Sequence, residues 1–288
     1  MKILMSTLVL FAAALPGIAQ TPKVGQGGDK PVAEASAGKP AKGKVVLSDA
    51  GKLALGKAKA LAGAVRGLRG PDRLKALESA AAAYDQVAGE FAGEPAVASV
   101  AAMTAGDLWR QQGSLPLAEK DYLLAAQLDG PRYAQRALLG AADMQRRQKR
   151  IDEAMATYAK VVHVDPSSAR AQDARLWQAR LLQGGERLDE AIAAFQAALE
   201  TADPGAETIE ASNFLALAWI DKGDLDAAGY AIEHAEQTAP AGEDDPVVLE
   251  RLTMALESMS AKKALQRARD KQNGAAKDAA KLEAARSK

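Results

Sequence analysis

The chain has 288 residues, of which 48% are hydrophobic and 26% charged, and this balance excludes wholesale disorder. Cysteine is absent, which excludes a disulfide framework, a thiol nucleophile and a cysteine-ligated zinc site. The 37 basic and 37 acidic residues balance overall, aromatic residues make up only 4%, and alanine and leucine dominate the packing residues. We therefore expect an all-helical protein with a sizeable core.

Residues 1–19 have the organisation of a secretory signal peptide. Lys2 precedes an apolar run over residues 3–15, and residues 17–19 offer a small-x-small cleavage site. The run is shorter than the ~20 residues that cross a bilayer as a helix, so we expect cleavage near Ala19 and no membrane span afterwards. Retention of the signal as an anchor is the alternative. The expected location is periplasmic or secreted.

Charge is distributed unevenly along the rest of the chain. Residues 20–48 are rich in glycine, proline and lysine and have almost no large apolar side chain, which predicts a disordered basic linker. Residues 49–260 carry 22 basic and 32 acidic residues, with most of the acidic excess between 186 and 257. The segment 273–288 is expected to be a basic, flexible tail.

The strongest signal is an internal repeat of 36 to 38 residues. In each unit a small residue is followed by a large apolar residue at +4 and by a small residue or valine at +7, so all three share one face of a helix. The small positions are expected to let a neighbouring helix approach while the large side chain fills the space between them. The five triplets are Ala80, Tyr84 and Val87; Ala118, Tyr122 and Ala125; Ala154, Tyr158 and Val161; Ala191, Phe195 and Ala198; and Ala228, Ile232 and Ala235.

Turn residues separate a first helix from a second helix in each unit. Gly113, Gly185 and Gly223 precede the helix that carries the triplet, and each is expected to occupy a turn with positive φ. Proline residues follow that helix, where they end it because proline cannot continue a helix interior. We therefore predict stacked helix-turn-helix pairs over residues 49–245, followed by one capping helix over 246–272.

These units resemble tetratricopeptide repeats, most clearly in residues 133–166. The segments RIDEAMATYAKVVHVDPSS and RLDEAIAAFQAALETADPG match the second helix of that repeat, although the tryptophan usual at its fourth position is missing. The resemblance covers about residues 72–240 and implies a right-handed solenoid of about five repeats with a concave groove. It extends to exported bacterial envelope proteins, including outer-membrane assembly factors, Tol-Pal-associated division coordinators and ancillary translocon subunits.

The resemblance also implies which side chains line the groove, because in this family the first helix of each pair forms the concave wall. Recurring arginines on that wall favour an acidic segment or a peptide carboxylate as ligand, since the planar guanidinium binds carboxylates in bidentate fashion. Local ion pairs with aspartates three or four residues away are the alternative interpretation. The implied groove residues are Met103, Asp107, Arg110, Arg136, Asp143, Arg146, Arg147, Leu176, Arg180, Asn213 and Leu217.

Catalytic motifs do not emerge from the sequence. Residues 38–45 have the spacing of a P-loop, but Val45 stands where a serine or threonine would hold magnesium, and no strand pattern precedes the segment. The two histidines, His163 and His234, lack the spacing of zinc ligands. The basic tail lacks the aromatic residues that stack on bases. We therefore expect no enzymatic activity, no cofactor, no metal and no nucleic-acid partner.

The predicted function is a non-enzymatic periplasmic scaffold that binds a protein or peptide in its groove and assists assembly or maintenance of the cell envelope. Two alternatives remain open: a homo-oligomer in which the acidic residues 186–257 dock on the basic tail of a neighbour, and a hydrolase that uses two carboxylates in a closed pocket. The three tryptophans, Trp109, Trp177 and Trp219, are expected to pack between helices, with one facing the groove as the alternative.

Overall fold

The computed structural model describes residues 47–128 and 130–286, and every regular element in these ranges is an α-helix. The predicted signal peptide, nearly all of the predicted linker and the last two residues lie outside them. No helix within them is both long and apolar enough to span a membrane. The helices are α1 (Asp49–Gly63), α2 (Gly70–Glu90), α3 (Pro95–Gln112), α4 (Leu115–Leu128), α5 (Gly130–Arg147), α6 (Ile151–Val164), α7 (Ala169–Gly184), α8 (Leu188–Glu200), α9 (Ala206–Lys222), α10 (Leu225–Thr238), α11 (Pro246–Glu257) and α12 (Ser260–Arg286).

The first ten helices form five successive pairs, from α1 with α2 to α9 with α10. Each helix packs mainly on the helices before and after it in the chain, which is the contact pattern of a solenoid. The first helices of successive pairs, α3, α5, α7 and α9, also touch one another. The predicted all-α solenoid of about five helix-turn-helix repeats is confirmed, and its first helices form one continuous wall.

The repeated triplets form the contacts between these helices. All fifteen of their side chains are buried, and Tyr122, Tyr158 and Phe195 are among the largest fully buried side chains. The ring of Tyr122 on α4 shows why small residues surround the large one. A Cβ atom at Gly106 of α3 would lie 2.8 Å from the ring, and one at Gly140 of α5 would lie 3.0 Å from it. Glycine at both positions therefore lets α3 and α5 pack directly against the tyrosine ring.

The turn inside four of the pairs uses one left-handed residue, always five positions before the alanine that begins the triplet. Gly113 (φ 100°) and Gly223 (φ 88°) occupy this position as predicted. Lys149 (φ 63°) and Glu186 (φ 60°) occupy it in the other two pairs. The expectation for Gly185 is wrong, since its φ is −92°. This glycine lies one residue short of the position that needs positive φ.

Buried glutamines connect the two helices of a pair in two successive repeats. The side-chain amide of Gln135 on α5 donates to the carbonyl of Val161 at 3.2 Å, and that of Gln172 on α7 donates to the carbonyl of Ala198 at 2.8 Å. The two glutamines are 37 residues apart, and both carbonyls belong to the last residue of a triplet. Both carbonyls lie near the end of the second helix, where helical partners run out, so these bonds tie that end to the first helix of the pair.

The carboxyl-terminal region differs from the single capping helix expected over 246–272. Two helices, α11 and α12, take its place. Asn213 of α9 fixes the start of α12, because its side-chain oxygen accepts hydrogen bonds from the Ala261 backbone amide at 3.0 Å and from the Ser260 hydroxyl at 3.2 Å. The first turns of α12 then pack on α9 and α10, with Leu265 buried, so α12 covers the last repeat.

The segment over 273–288, expected to be flexible, is helical as far as Arg286. Every side chain from 271 to 286 is exposed, so this part of α12 is not held by packing. Alanine, lysine, arginine and glutamate predominate here, and these residues have high intrinsic helix propensity. The end of α12 is therefore a basic helix formed by local preference alone.

An acidic pair, with Asp121 buried and Asp85 half-buried, connects the first two repeats. Asp121 on α4 is 1% exposed. Burial, followed by the neighbouring carboxylate of Asp85, raises the pKa of Asp121 to about 8, and Lys120 opposes this shift only in part. The Asp85 carboxylate accepts a hydrogen bond from the indole nitrogen of Trp109 at 2.9 Å. With its raised pKa, Asp121 carries a proton at neutral pH.

We predict that Gly106→Ala lowers the free energy of unfolding by about 1 to 3 kcal/mol, because the added methyl group collides with a Tyr122 ring that Gly140 confines on its other side. The matched control is Gly56→Ala in α1, where a Cβ atom meets nothing within 4 Å. This variant is expected to gain up to about 1 kcal/mol from helix propensity. Urea denaturation followed by circular dichroism measures both, and equal effects would contradict the close approach at Tyr122.

We also predict that wild-type stability falls as pH rises between about 4 and about 8. The raised pKa of Asp121 means that the folded state holds a proton that the unfolded state loses above about pH 4, at a slope of up to about 1.4 kcal/mol per pH unit. Asp121→Asn stays neutral and should remove most of this fall, whereas exposed Asp226→Asn should leave it unchanged. Denaturation at about pH 5 and about pH 8 measures the difference, and an unaltered pH dependence in Asp121→Asn would refute the assignment.

Candidate functional site

An open cleft of about 340 Å³ lies along the wall formed by α3, α5 and α7. The rings of Tyr122 and Tyr158, on the second helices α4 and α6, contribute to its lining. Five of the groove residues implied by the family resemblance lie together here with three aromatic side chains. The lining residues are Met103, Asp107, Arg110, Tyr122, Arg136, Leu139, Gly140, Asp143, Tyr158 and Trp177.

Asp107 organises one end of the cleft. It accepts a hydrogen bond from the Tyr122 hydroxyl at 2.8 Å and forms an ion pair with Arg136 at 2.7 Å. Arg110 lies 3.7 Å from the same carboxylate, and its Nε donates to the Tyr122 hydroxyl at 3.1 Å. Burial, followed by the hydrogen bond to Asp107, raises the pKa of Tyr122 well above its ordinary value, so the hydroxyl remains a neutral donor. One carboxylate thus holds two guanidinium groups at this end.

A stack of cations and aromatic rings continues the wall from α5 to α9. The guanidinium carbons of Arg146 and Arg180 lie 4.0 Å and 4.1 Å from the ring centre of Trp177, and that of Arg180 lies 4.3 Å from the ring centre of Phe214. Phe214 stacks in turn on Phe195, with ring centres 6.0 Å apart. A guanidinium that stacks on a ring keeps its N–H edges free to donate. The stack therefore positions two arginines for a ligand.

Tyr158 is fully buried and contributes to the same cleft, yet its hydroxyl has no hydrogen-bond partner among the residues that the structure describes. Burial, and then the charge of Asp143, raises the pKa of Tyr158 to about 12, while Arg146, which approaches the hydroxyl without a hydrogen bond of normal geometry, and the charge of Arg180 oppose this. Arg146 also forms an ion pair with Asp143. The phenol is therefore neutral and sits in the field of two guanidinium groups.

The cleft is electropositive although the body that carries it is acidic. Four arginines lie along this wall with two aspartates, and Glu210 of α9 acts on Arg180 from farther away, whereas residues 49–260 as a whole carry more acidic than basic residues. Such a local excess attracts anionic groups and repels cationic ones. The charged residues in question are Arg110, Arg136, Arg146 and Arg180 with Asp107 and Asp143.

Four of the implied groove residues have other environments. Leu176 is only 4% exposed and belongs to the core, so it does not line the cleft; the next residue, Trp177, does. Leu217 packs half-buried against the same core. Asn213 is engaged at the start of α12, and Arg147 is exposed and outside the cleft lining. A larger cavity of about 590 Å³ between α8, α9 and α10 contains none of the implied groove residues.

Sequence reasoning assigned Tyr122 and Tyr158 to packing and missed their second role. The signal was present, because these repeats have tyrosine where the next one has Phe195, and a buried hydroxyl needs a polar partner that phenylalanine does not. Trp177 is the tryptophan that faces the groove. Trp109 packs between helices as expected, with its indole nitrogen bonded to a carboxylate.

The chemistry available in the cleft is that of binding. Both of its carboxylates, Asp107 and Asp143, are engaged by arginines, and this arrangement orients donors toward a ligand. Within the described ranges, no group of three or more histidine, aspartate or glutamate side chains is placed to hold a metal ion. The apolar surface of Met103, Leu139 and Trp177 lies beside the charged groups.

The chain matches no protein-family model and no curated protein. Solved structures match it at the level of the fold. MamA, residues 41 to the end, from Desulfovibrio magneticus RS-1 is 16% identical with a TM-score of 0.50, and the match covers 69% of this chain and 100% of that one. A putative kinesin light chain of Podospora anserina with nearly identical TPR-like repeats is 11% identical with the same TM-score and coverage. The chain therefore has the fold of a tetratricopeptide-repeat solenoid.

Proposed function

We propose that this protein is a non-enzymatic scaffold that binds an extended segment of another protein in the cleft along α3, α5 and α7. The observation that carries the proposal is a set of arginines, fixed by ion pairs and aromatic stacking, beside an open apolar surface. Fixed donors lose little conformational freedom on binding, so they favour a ligand more than mobile surface arginines would.

The dimensions and chemistry of the cleft suit an extended chain. It is open along its length and draws its lining from three successive repeats, so a ligand would contact several helices at once. Met103, Leu139 and Trp177 offer apolar contacts for side chains, and buried anchors of this kind contribute most of the energy in protein interfaces. The flanking arginines would select for charge and orientation.

The proposal includes a location and a cellular role. The signal-like residues 1–19 support export. We therefore place the protein in the periplasm, where it would assist assembly or maintenance of the cell envelope by holding a protein partner.

Photocrosslinking in growing cells tests this function. A photoreactive amino acid at position 139, inside the cleft, is expected to capture a distinct protein in the periplasmic fraction, and the capture should weaken in Arg136→Ala. The same photoreactive group at Leu53, an exposed residue of α1 outside the cleft, is the matched control. Identical captures from both positions, or capture confined to the cytoplasmic fraction, would contradict the proposal. Crosslinks to a second copy of the chain would support the homo-oligomer instead.

A further inference from the structure

Part of the cleft remains unused by the protein's own contacts. The Tyr158 hydroxyl is completely buried and makes no hydrogen bond of normal geometry within the described part of the chain, although Arg146 approaches it. Arg180 has no carboxylate within ion-pair distance there either; Glu210 attracts it only from farther away. Arg146 and Arg180 both stack on Trp177, so two like charges lie close together while Asp143 pairs with only one of them.

We infer that Arg180, Arg146 and Tyr158 form an anion subsite that seats one carboxylate group of an extended acidic peptide. This inference rests on the proposed function and specifies the chemical class of its ligand. The carboxylate would accept hydrogen bonds from the guanidinium edge of Arg180 and from the Tyr158 hydroxyl, and Arg146, which stacks on the same Trp177 ring, would complete the site.

The geometry explains how Arg180 is held without a carboxylate partner. Stacking between Trp177 and Phe214 fixes the plane of the Arg180 guanidinium and leaves its donors at the edge of the stack. A bound carboxylate would satisfy the buried hydroxyl and relieve the repulsion between the two arginines at the same time. Both effects occur only when the ligand is present.

The balance of charge favours a carboxylate over a more highly charged anion. Arg146 is already paired with Asp143. Of the two guanidinium groups in the subsite, only that of Arg180 has no carboxylate within ion-pair distance in the described ranges. A group with two negative charges would also meet repulsion from Asp143, which lies close enough to Tyr158 to influence its pKa. At the other end of the cleft, Asp107 is the one carboxylate within ion-pair distance of Arg110 and Arg136 in the described ranges, so a second acidic residue of the peptide would find a partner there.

Fluorescence anisotropy with labelled ten-residue peptides tests the subsite. Three peptides are compared, in which leucine alternates with glutamate, with glutamine or with lysine. Each peptide is made with a free and with an amidated carboxyl terminus. Wild type is expected to prefer the glutamate peptide, and Arg180→Gln should weaken that binding roughly tenfold. The matched control is Arg170→Gln, which makes the same change at an exposed arginine of the same helix. Equal affinity of the free and amidated forms would assign the carboxylate to a side chain, and dependence on the free form would assign it to the terminus.

Tyr158→Phe provides the second readout. Its melting temperature should be no lower than that of wild type, because the buried hydroxyl makes no hydrogen bond of normal geometry in the free protein, while its affinity for the glutamate peptide should fall severalfold. Unchanged binding of the glutamate peptide by Arg180→Gln overturns the subsite. If the three peptides bind wild type equally well, the subsite is overturned but the peptide-binding groove stands. If none binds at millimolar concentration, the subsite and the peptide-binding function fail together.

Discussion

Each repeat buries one large side chain against small residues of the helices next to it, and the rest of the structure depends on this contact. Tyr122 lies between glycines of two neighbouring first helices, and the equivalent Tyr158 and Phe195 are equally buried. No repeat encloses its own large side chain, so each is stable only beside its neighbours. Because the contact recurs at a constant spacing, the first helices fall into register and form a wall.

The same aromatic position connects the core to the groove. The Tyr122 ring packs in the core while its hydroxyl binds the Asp107 carboxylate, which in turn holds two arginines. In the next repeat the Tyr158 hydroxyl reaches the cleft without a partner. In the repeat after that, phenylalanine replaces tyrosine, and Phe195 stacks on a ring that supports Arg180. The residues that pack in the core therefore determine the positions of the charged groups in the cleft.

The fold was predictable from the sequence because its contacts are local and periodic. The wrong predictions for single residues arise either from a small error in helical register or from a contact between residues far apart in the chain. A shift of one residue turns a helical side chain by about 100°, which is enough to move Leu176 into the core and bring Trp177 to the cleft. The left-handed turn residue follows the register of the repeat and not the nearest glycine, so Glu186 adopts it beside Gly185.

Other parts of the site and the fold depend on contacts that no local pattern reveals. Asn213 caps a helix 47 residues later in the chain, which removes it from the groove and divides the expected capping helix in two. The pairing of Arg136 with Asp107 joins residues 29 apart on different repeats. The residue types were evident from the sequence, whereas the choice between local ion pairs and a shared cleft required the structure.

The coupling between neighbouring repeats is tested most directly by hydrogen exchange in wild type and Tyr158→Ala. Loss of this ring should reduce amide protection together in α5, α6 and α7, because all three helices pack around it, while α1, α2 and α10 keep their protection. Loss of protection confined to α6, or spread evenly over all the described helices, would contradict the account.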